Sequence, residues 1–516
     1  MNASSPPRLM RWQWFVVMTV VSGCIAYYTY VASAGNFIKW HQYSVFFDQQ
    51  ARGYLAGHLH ISREPHKRLL RAAKPFKIKN RRFWYHDACL YNGHYYIYWG
   101  PVPALVAAFV KIVTGITATI GDQYLTFGFM IGRLIAGIAL IISIWRRLFA
   151  DTSFAIALVF IVVYAIGFPV PYILARGAVY EAAITGGQCF LVAGLYFAFR
   201  GCYDTARYKR FLVSAGVCWG LAIGTRVSLS PCIALLGIIS AIYLWRVNVD
   251  RRIRHFIVSL CCIGLPVCLA MMALLGYNYA RFDSWFEFGT NYQLSNIQFR
   301  LSLDYVWHNL YGYFVLPPEL QCQFPFVFSK FHLQPEMFPS GWSIPKGYKL
   351  REPVAGIFVA APWCLLGGFA LVQGGRIALD RWLRGATRAG RSEWLYQWCV
   401  ASFSVIGVTT MLAVYGLFLS TMRYELDAAA GWILLGVMGA VSVLRYVSNK
   451  PAPLRAIVLT IVLLLASASV ITGVLYGFQG YYRHFEKYNR PHYNMLRDSI
   501  TFCGATVKKP GSDKNH

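Results

Sequence analysis

Pro101-Val102-Pro103-Ala104-Leu105-Val106-Ala107-Ala108-Phe109-Val110-Lys111-Ile112-Val113-Thr114-Gly115-Ile116-Thr117-Ala118-Thr119 is apolar enough to be read as a membrane span. Whether it crosses decides which compartment every later loop faces. Two prolines open it, Lys111 sits inside it and Gly115 lies near its end. The flanking loops supply a test, because Lys and Arg collect in short cytoplasmic loops. Arg146-Arg147, Arg200 to Arg210, Arg246 to Arg254, Arg376 to Arg391, and Arg445 with Lys450 and Arg455 alternate with loops poorer in basic residues. All of them share the cytoplasm with Arg8 and Arg11 only if one apolar segment fails to cross. The weakest candidate is 101–119, which we read as a helix lying along the outer membrane face.

The composition is that of a membrane protein. Of 516 residues 57% are hydrophobic and 14% charged, against about 25% charged in soluble domains. Apolar stretches of about 20 residues recur, each able to cross roughly 30 Å of hydrocarbon. Backbone groups in lipid must pair within their own segment, so these stretches are helices. The predicted fold class is an all-α polytopic bundle of about eleven transmembrane helices. The spans fall near 14–34, 124–145, 153–173, 179–199, 211–225, 229–245, 256–276, 353–373, 395–417, 428–445 and 456–476. Residues 1–476 form one transmembrane domain with large outer loops at 35–123 and 277–352, and 477–516 form an outer tail. The first run ends Ala32-Ser33-Ala34 like a signal-peptidase site, yet from Trp14 it is too long for a signal-peptide core and is read as uncleaved.

The net charge of +28 follows from the basic loops, and no zinc-spaced cluster or phosphate-binding glycine loop points to nucleic acid. The first outer loop itself carries twelve Lys and Arg, nine of them between Arg63 and Arg82. That run is either a solvated face or an attraction for lipid phosphates or an acidic acceptor. Most of the thirteen cysteines lie within apolar helices, where Cys packs as a small hydrophobe. Cys89, Cys322 and Cys503 are the outer thiols, and one pair among them is expected to be bridged.

The outer loops hold the candidate chemistry. Phe83-Trp84-Tyr85-His86-Asp87-Ala88-Cys89-Leu90-Tyr91 and His94-Tyr95-Tyr96-Ile97-Tyr98-Trp99 are joined by Asn92-Gly93, a strong hairpin signal. The hairpin would hold His86 and Asp87 beside the helix opening at Pro101. Upstream, Phe47 to Gly57 reads as a short helix with Asp48 near its start. Arg133 lies mid-span, where charge is costly and functional by default. His94 and Lys111 are expected at the surface.

The order of these features resembles the GT-C glycosyltransferase superfamily, which includes protein mannosyltransferases, oligosaccharyltransferases and the lipid A aminoarabinose transferase. The resemblance rests on a carboxylate after the first span, the Ala51-to-Gly57 helix, the Pro101-to-Pro103 juxtamembrane helix, Arg133-Leu134, and Arg176 with Glu181. Gly220 to Arg226, Tyr277 to Phe282 with Phe286 to Gly289, and Arg423-Tyr424 with Asp427 extend it. The acidic pair that some members carry after the first span is absent, and the spacing from Asp48 to Gly57 is shorter than in several relatives. The resemblance implies an inverting transferase that moves a sugar from a polyprenyl-phosphate donor to a glycan, lipid or protein acceptor of the cell envelope. It also implies a cell inner membrane protein with a cytoplasmic N-terminus and an active site facing the periplasm.

Within that chemistry a carboxylate must deprotonate the acceptor, and cations must stabilise the departing phosphate, a task suited to the planar fork of Arg. Asp48 and Asp87 are the candidate catalytic residues. His86, Arg176, Glu181, Arg226, Arg281 and Arg423 are the candidate substrate-binding residues, with Glu181 able to hold an acceptor group or a divalent metal ion. Two other classes remain open: a transporter or lipid flippase, which would show internal repeats with broken helices, and a non-catalytic membrane scaffold.

Overall fold

The computed structural model of the chain describes residues 9–500, apart from 205, 249–250, 296–299, 331–334, 350–351 and 385–389. Helix α1 (Arg11–Ala32) leads into the first outer loop, which contains α2 (Phe46–Leu55), α3 (Lys67–Leu70), the strands β1 (Cys89–Tyr91) and β2 (His94–Tyr96), and α4 (Val102–Thr114). A run of long helices follows: α5 (Asp122–Leu148), α6 (Phe154–Ile166) continued by α7 (Val170–Leu174), α8 (Val179–Tyr203), α9 (Tyr208–Thr225), α10 (Ser230–Val247) and α11 (Arg252–Phe282). The second outer loop holds α12 (Val306–Phe314). After it come α13 (Ile357–Ala360), α14 (Gly367–Arg384), α15 (Arg391–Thr409), α16 (Leu412–Tyr415), α17 (Glu425–Val447), α18 (Ala452–Gln479), α19 (His484–Tyr488) and α20 (Arg490–Ile500).

Among the described residues nine helical segments are long and apolar enough to cross a bilayer. The two other expected spans differ from an ideal crossing helix for visible reasons. The stretch 211–225 is α9, whose first turn carries Lys209 and Arg210. The stretch 353–373 is broken into α13, a short 3₁₀ turn opening at Pro362, and α14. Contacts at the helix ends sort the chain into two ends. Arg445 at the close of α17 pairs with Asp151 and bonds the Leu148 carbonyl at the close of α5, and Arg391 at the start of α15 donates to the Cys202 carbonyl at the close of α8. At the opposite end Ser44 bridges the first outer loop to the starts of α5 and α8, through the Asp122 carboxylate and the Val179 N–H.

Helix α4 stays at that second end. Gly100, just before it, lies against the backbone of Gly224 and Thr225. After its left-handed Gly115 cap the chain returns to donate the Ile120 N–H to Asp48 at 2.9 Å. Its 13 residues span only about 20 Å at 1.5 Å per residue, short of the bilayer core. Leu105, Phe109, Ile112, Val113 and Ile116 form an exposed apolar face, while Ala104, Ala107 and Ala108 are buried against the outer loop. The helix is thus shorter than the nine candidate spans.

The hairpin forms as expected, with Cys89 opposite Tyr96 and Tyr91 opposite His94. Asn92 and Gly93 both adopt the left-handed region, at φ 44° and 80°, which a tight two-residue turn requires. A stripe of glycines on α9 governs the neighbouring packing. Gly216 meets the Ile263 backbone of α11, and a Cβ at Gly220 would stand 2.8 Å from the Cβ of Ala270. Gly224 faces Val102 of α4. Small residues let helix backbones approach closely, so both α11 and α4 lean on one ridge. The tail beyond α18 packs back on the outer end: His41 stacks on Tyr488 at 3.7 Å and Tyr43 on His484 at 5.0 Å. Cys322 is disulfide-bonded, Cys89 is a buried free thiol that burial makes hard to ionise, and Cys503 lies outside the described residues.

Candidate functional site: a charged pocket joined to an apolar groove

The hairpin delivers Asp87 to a cavity of about 260 Å³ at the start of α8, the end of α9 and the approach to α17. Asp87 adopts φ 67°, a left-handed conformation that Asp tolerates better than most residues. The second outer loop pins it there: its N–H donates to the Leu294 carbonyl at 3.2 Å, and Gln293 Nε2 donates to its carboxylate at 3.0 Å. His86 Nε2 is 3.8 Å from the same carboxylate and its side chain is exposed. Among the described residues Asp87 has no Lys or Arg partner.

The pocket's cations are differently placed. Arg423 donates to Glu352 at 2.6 Å and lies 3.9 Å from Glu181, which Arg176 also reaches at 3.2 Å. Thr421 completes Glu352's coordination with a 2.6 Å hydrogen bond. Arg226 pairs with Asp427, whose backbone carbonyl accepts from Gln188 at 3.1 Å. Tyr180 lies beneath Arg423 at 4.2 Å, and its hydroxyl accepts from Tyr98 at 2.6 Å. Asp87, Arg226, Glu352 and Arg423 all line the cavity. Arg226 and Arg423 are therefore each held by a carboxylate at the cavity wall. A buried Arg left unpaired would be far costlier.

His86, Arg176 and Glu181 neighbour the cavity residues without lining the cavity themselves, and three further residues expected to be functional lie elsewhere. Asp48 is buried with the ring of contacts of a structural anchor: Lys111 at 2.8 Å, Arg52 at 2.7 Å and the Ile120 N–H. Burial alone would raise its pKa, but the bonds from Lys111, Arg52 and the Ile120 N–H outweigh it and hold the carboxyl below its ordinary range. Lys111, expected at the surface, is thus a buried partner; its ammonium also donates to the Ala118 carbonyl at 2.6 Å. Arg281 ties α11 to the hairpin by donating to the Ile97 carbonyl at 2.6 Å and to Asn278 at 2.8 Å. It does not line the cavity. Arg133 is fully buried without a hydrogen-bond partner for its guanidinium among the described residues, stacked 4.3 Å over Tyr164.

Sequence reasoning missed Glu352, a lone acid before Pro353 in the second outer loop, and the aromatic floor of Tyr98, Trp99 and Tyr180. Only the aromatic density around the hairpin hinted at the latter. Asp122 was also missed: it accepts from Ser44 and from the Phe46 and Phe47 N–H groups, anchoring the start of α2. Among the described residues no group of three or more His, Cys, Asp or Glu is placed to share a metal ion. The donor set around Glu181 does not fit a three-ligand metal site.

A second cavity, of about 570 Å³, adjoins the first. Val217, Gly220, Leu221 and Gly224 of α9, Leu269, Ala270, Ala273 and Leu274 of α11, and Val102 and Leu105 of α4 line it. Its walls are almost wholly apolar, and Leu274 belongs to both cavities. A charged chamber and a greasy channel share one wall.

No family model and no curated relative matches the chain. Similar solved structures include the oligosaccharyltransferase of Archaeoglobus fulgidus in its apo form, at 13% identity and TM-score 0.47 over 90% of this chain and 55% of that one. The same enzyme tethered with an acceptor peptide containing the NVT sequon gives 11% identity and TM-score 0.45 over 97% and 61%. The archaeal oligosaccharyltransferase AglB in complex with an inhibitory peptide and a dolichol-phosphate gives 13% and 0.46 over 91% and 56%. The chain spans little more than half the length of those proteins. The chemistry of the pocket has to come from this chain's own side chains.

Proposed function

We propose that this chain is an inverting glycosyltransferase of the GT-C type, moving a sugar from a polyprenyl-phosphate carrier to an acceptor on the outer side of a bacterial inner membrane. The observation that carries this reading is the shared wall at Leu274, where a charged pocket meets an apolar groove. An amphiphile with a polar head and a long hydrocarbon tail matches that pair of cavities better than any freely soluble substrate.

In this reading the tail lies along α9 and α11 and the sugar phosphate projects past Gly224 into the pocket. The acceptor hydroxyl attacks the anomeric carbon from the face opposite the phosphate. The new C–O bond forms as the bond to the phosphate oxygen breaks, and Asp87 takes the hydroxyl proton. The polyprenyl phosphate leaves with the bonding electron pair. Arg226, at the junction of pocket and groove, and Arg423 face the charge that grows on it. Carboxylates already fix both, so little reorganisation accompanies the step. Glu181 and Arg176 act through Arg423 by setting its position, and His86 at the rim contacts the incoming acceptor. Asp48 then serves as an anchor for α4 instead of as the base.

The test is a transfer assay on the purified chain in lipid, offered a panel of polyprenyl-phosphate sugars and envelope extract as acceptor. Ala273→Trp, which fills the groove, should raise the donor KM, and Asp87→Asn should lower turnover by roughly 10²–10⁴-fold without changing donor binding. Full activity in both variants would remove the reading.

A further inference from the structure

The segment from Arg63 to Arg82 has no role in that chemistry. It carries nine Lys and Arg against one acid, Glu64, and all nine cations are exposed. Exposed apolar side chains are interleaved with them: Leu70 at 48%, Phe76 at 44% and Ile78 at 69% exposure. The spacing is tight, since Phe76-Lys77-Ile78-Lys79 alternates apolar with basic groups. Leu70, Phe76 and Ile78 thus share one strip with the cations, a mixed apolar and basic surface. A soluble polyanion would use the cations and leave the apolar groups wet.

We infer that this segment is a docking surface for the anionic phospholipid headgroups of the leaflet the outer loop rests on. Basic groups meet the lipid phosphates while Leu70, Phe76 and Ile78 enter the headgroup–acyl boundary, the two-part recognition of interfacial segments. Position supports this occupant over a soluble one. Leu69, fully buried, anchors α3 in the same apolar cluster as Ala104, Ala107 and Ala108, the inner face of the helix whose outer face presents Phe109 and Ile112. The segment thus emerges from the layer that α4 lays on the membrane. It also packs on the stretch that leads to Asp87: Arg63 sits 4.1 Å over Tyr85, two residues before Asp87, and Trp84 donates to the Pro75 carbonyl at 2.9 Å.

Eight of the nine basic residues are tryptic sites, Lys74 being followed by Pro75, which provides a label-free assay. The full chain is placed in nanodiscs of phosphatidylcholine alone or of phosphatidylcholine with phosphatidylglycerol. Cleavage within 63–82 is followed by mass spectrometry, with the outer-tail sites Arg483 and Lys487 as internal reference. Relative to that reference, cleavage should slow about tenfold in anionic discs at low salt and recover near 1 M salt, as a screened surface attraction must. The triple variant Leu70→Ser, Phe76→Ser, Ile78→Ser keeps every tryptic site and should lose most of the protection. Equal rates in both discs would overturn the inference. So would protection by soluble polyphosphate in phosphatidylcholine discs that the triple variant retains, because that result assigns the surface to an acidic polymer.

Discussion

Asp48 and Asp87 belong to the same outer loop and the same residue type, yet their surroundings are opposite. Asp48 is enclosed, with two cations and a backbone N–H spent on its two oxygens. Asp87 stands at a cavity wall with a neutral amide bond from Gln293 and no Lys or Arg among the described residues. A carboxylate whose capacity is filled by cations can fix a helix, and one with capacity to spare can accept a proton. Electrostatic surroundings, more than position after the first span, separate the anchor from the candidate base.

The sharpest way to break that contrast is to neutralise each in turn. Asp87→Asn should lower transfer by roughly 10²–10⁴-fold, the usual range for a lost general base. Thermal unfolding should change little, because Asn also accepts the left-handed backbone. If Asp48→Asn shows the larger catalytic loss at unchanged stability, the two roles are reversed. Asp48→Asn should instead destabilise by about 3–5 kcal/mol, the cost of stranding a buried charge, reduced to the extent that Lys111 sheds its proton. Asp48→Asn combined with Lys111→Met should recover part of the loss, since coupled residues do not add.

Titration sharpens the contrast further. The Asp48 carboxyl is held below its ordinary value in the folded chain. Its stabilisation is therefore complete above the unfolded pKa near ~3.9 and drains away as pH falls through the depressed folded value. Unfolding measured between those two values should show wild type losing up to about 1.4 kcal/mol per pH unit that Asp48→Asn does not lose. At the opposite end of the bundle, the exposed Arg445–Asp151 pair marks the lower limit. Arg445→Gln should cost about 0.5 kcal/mol or less, and a loss comparable to that of Asp48→Asn would mean that burial is not what distinguishes these pairs.

Much of the architecture was legible in local sequence. Spans follow from apolar length, and the hairpin from Asn92-Gly93. The site was legible only in part, because charge pairing is non-local. Lys111 reads as a surface group until α4 folds back over α2 and presents it to Asp48. Arg226 and Asp427, and likewise Arg423 and Glu352, come from different parts of the chain, and no periodicity reports such partners. Arg281 looks like a phosphate ligand by its place at a helix end, but its bond to Ile97 depends on where the hairpin lands. The broken stretch around Pro362 and Gly367 shows the same limit, since hydropathy averages over the breaks.

The glycine ridge of α9 has one more implication. In the proposed reading, a channel roofed by α11, a helix left mostly unburied by the rest of the chain, would have a side entrance running lengthwise, so a guest could slide in broadside and leave the same way without unthreading. Only the few carbons nearest the head would be gripped, and the remainder of the tail would stay dissolved in the bilayer. The number of isoprene units in a carrier would then matter little to recognition, while a kink or branch close to the phosphate would matter a great deal.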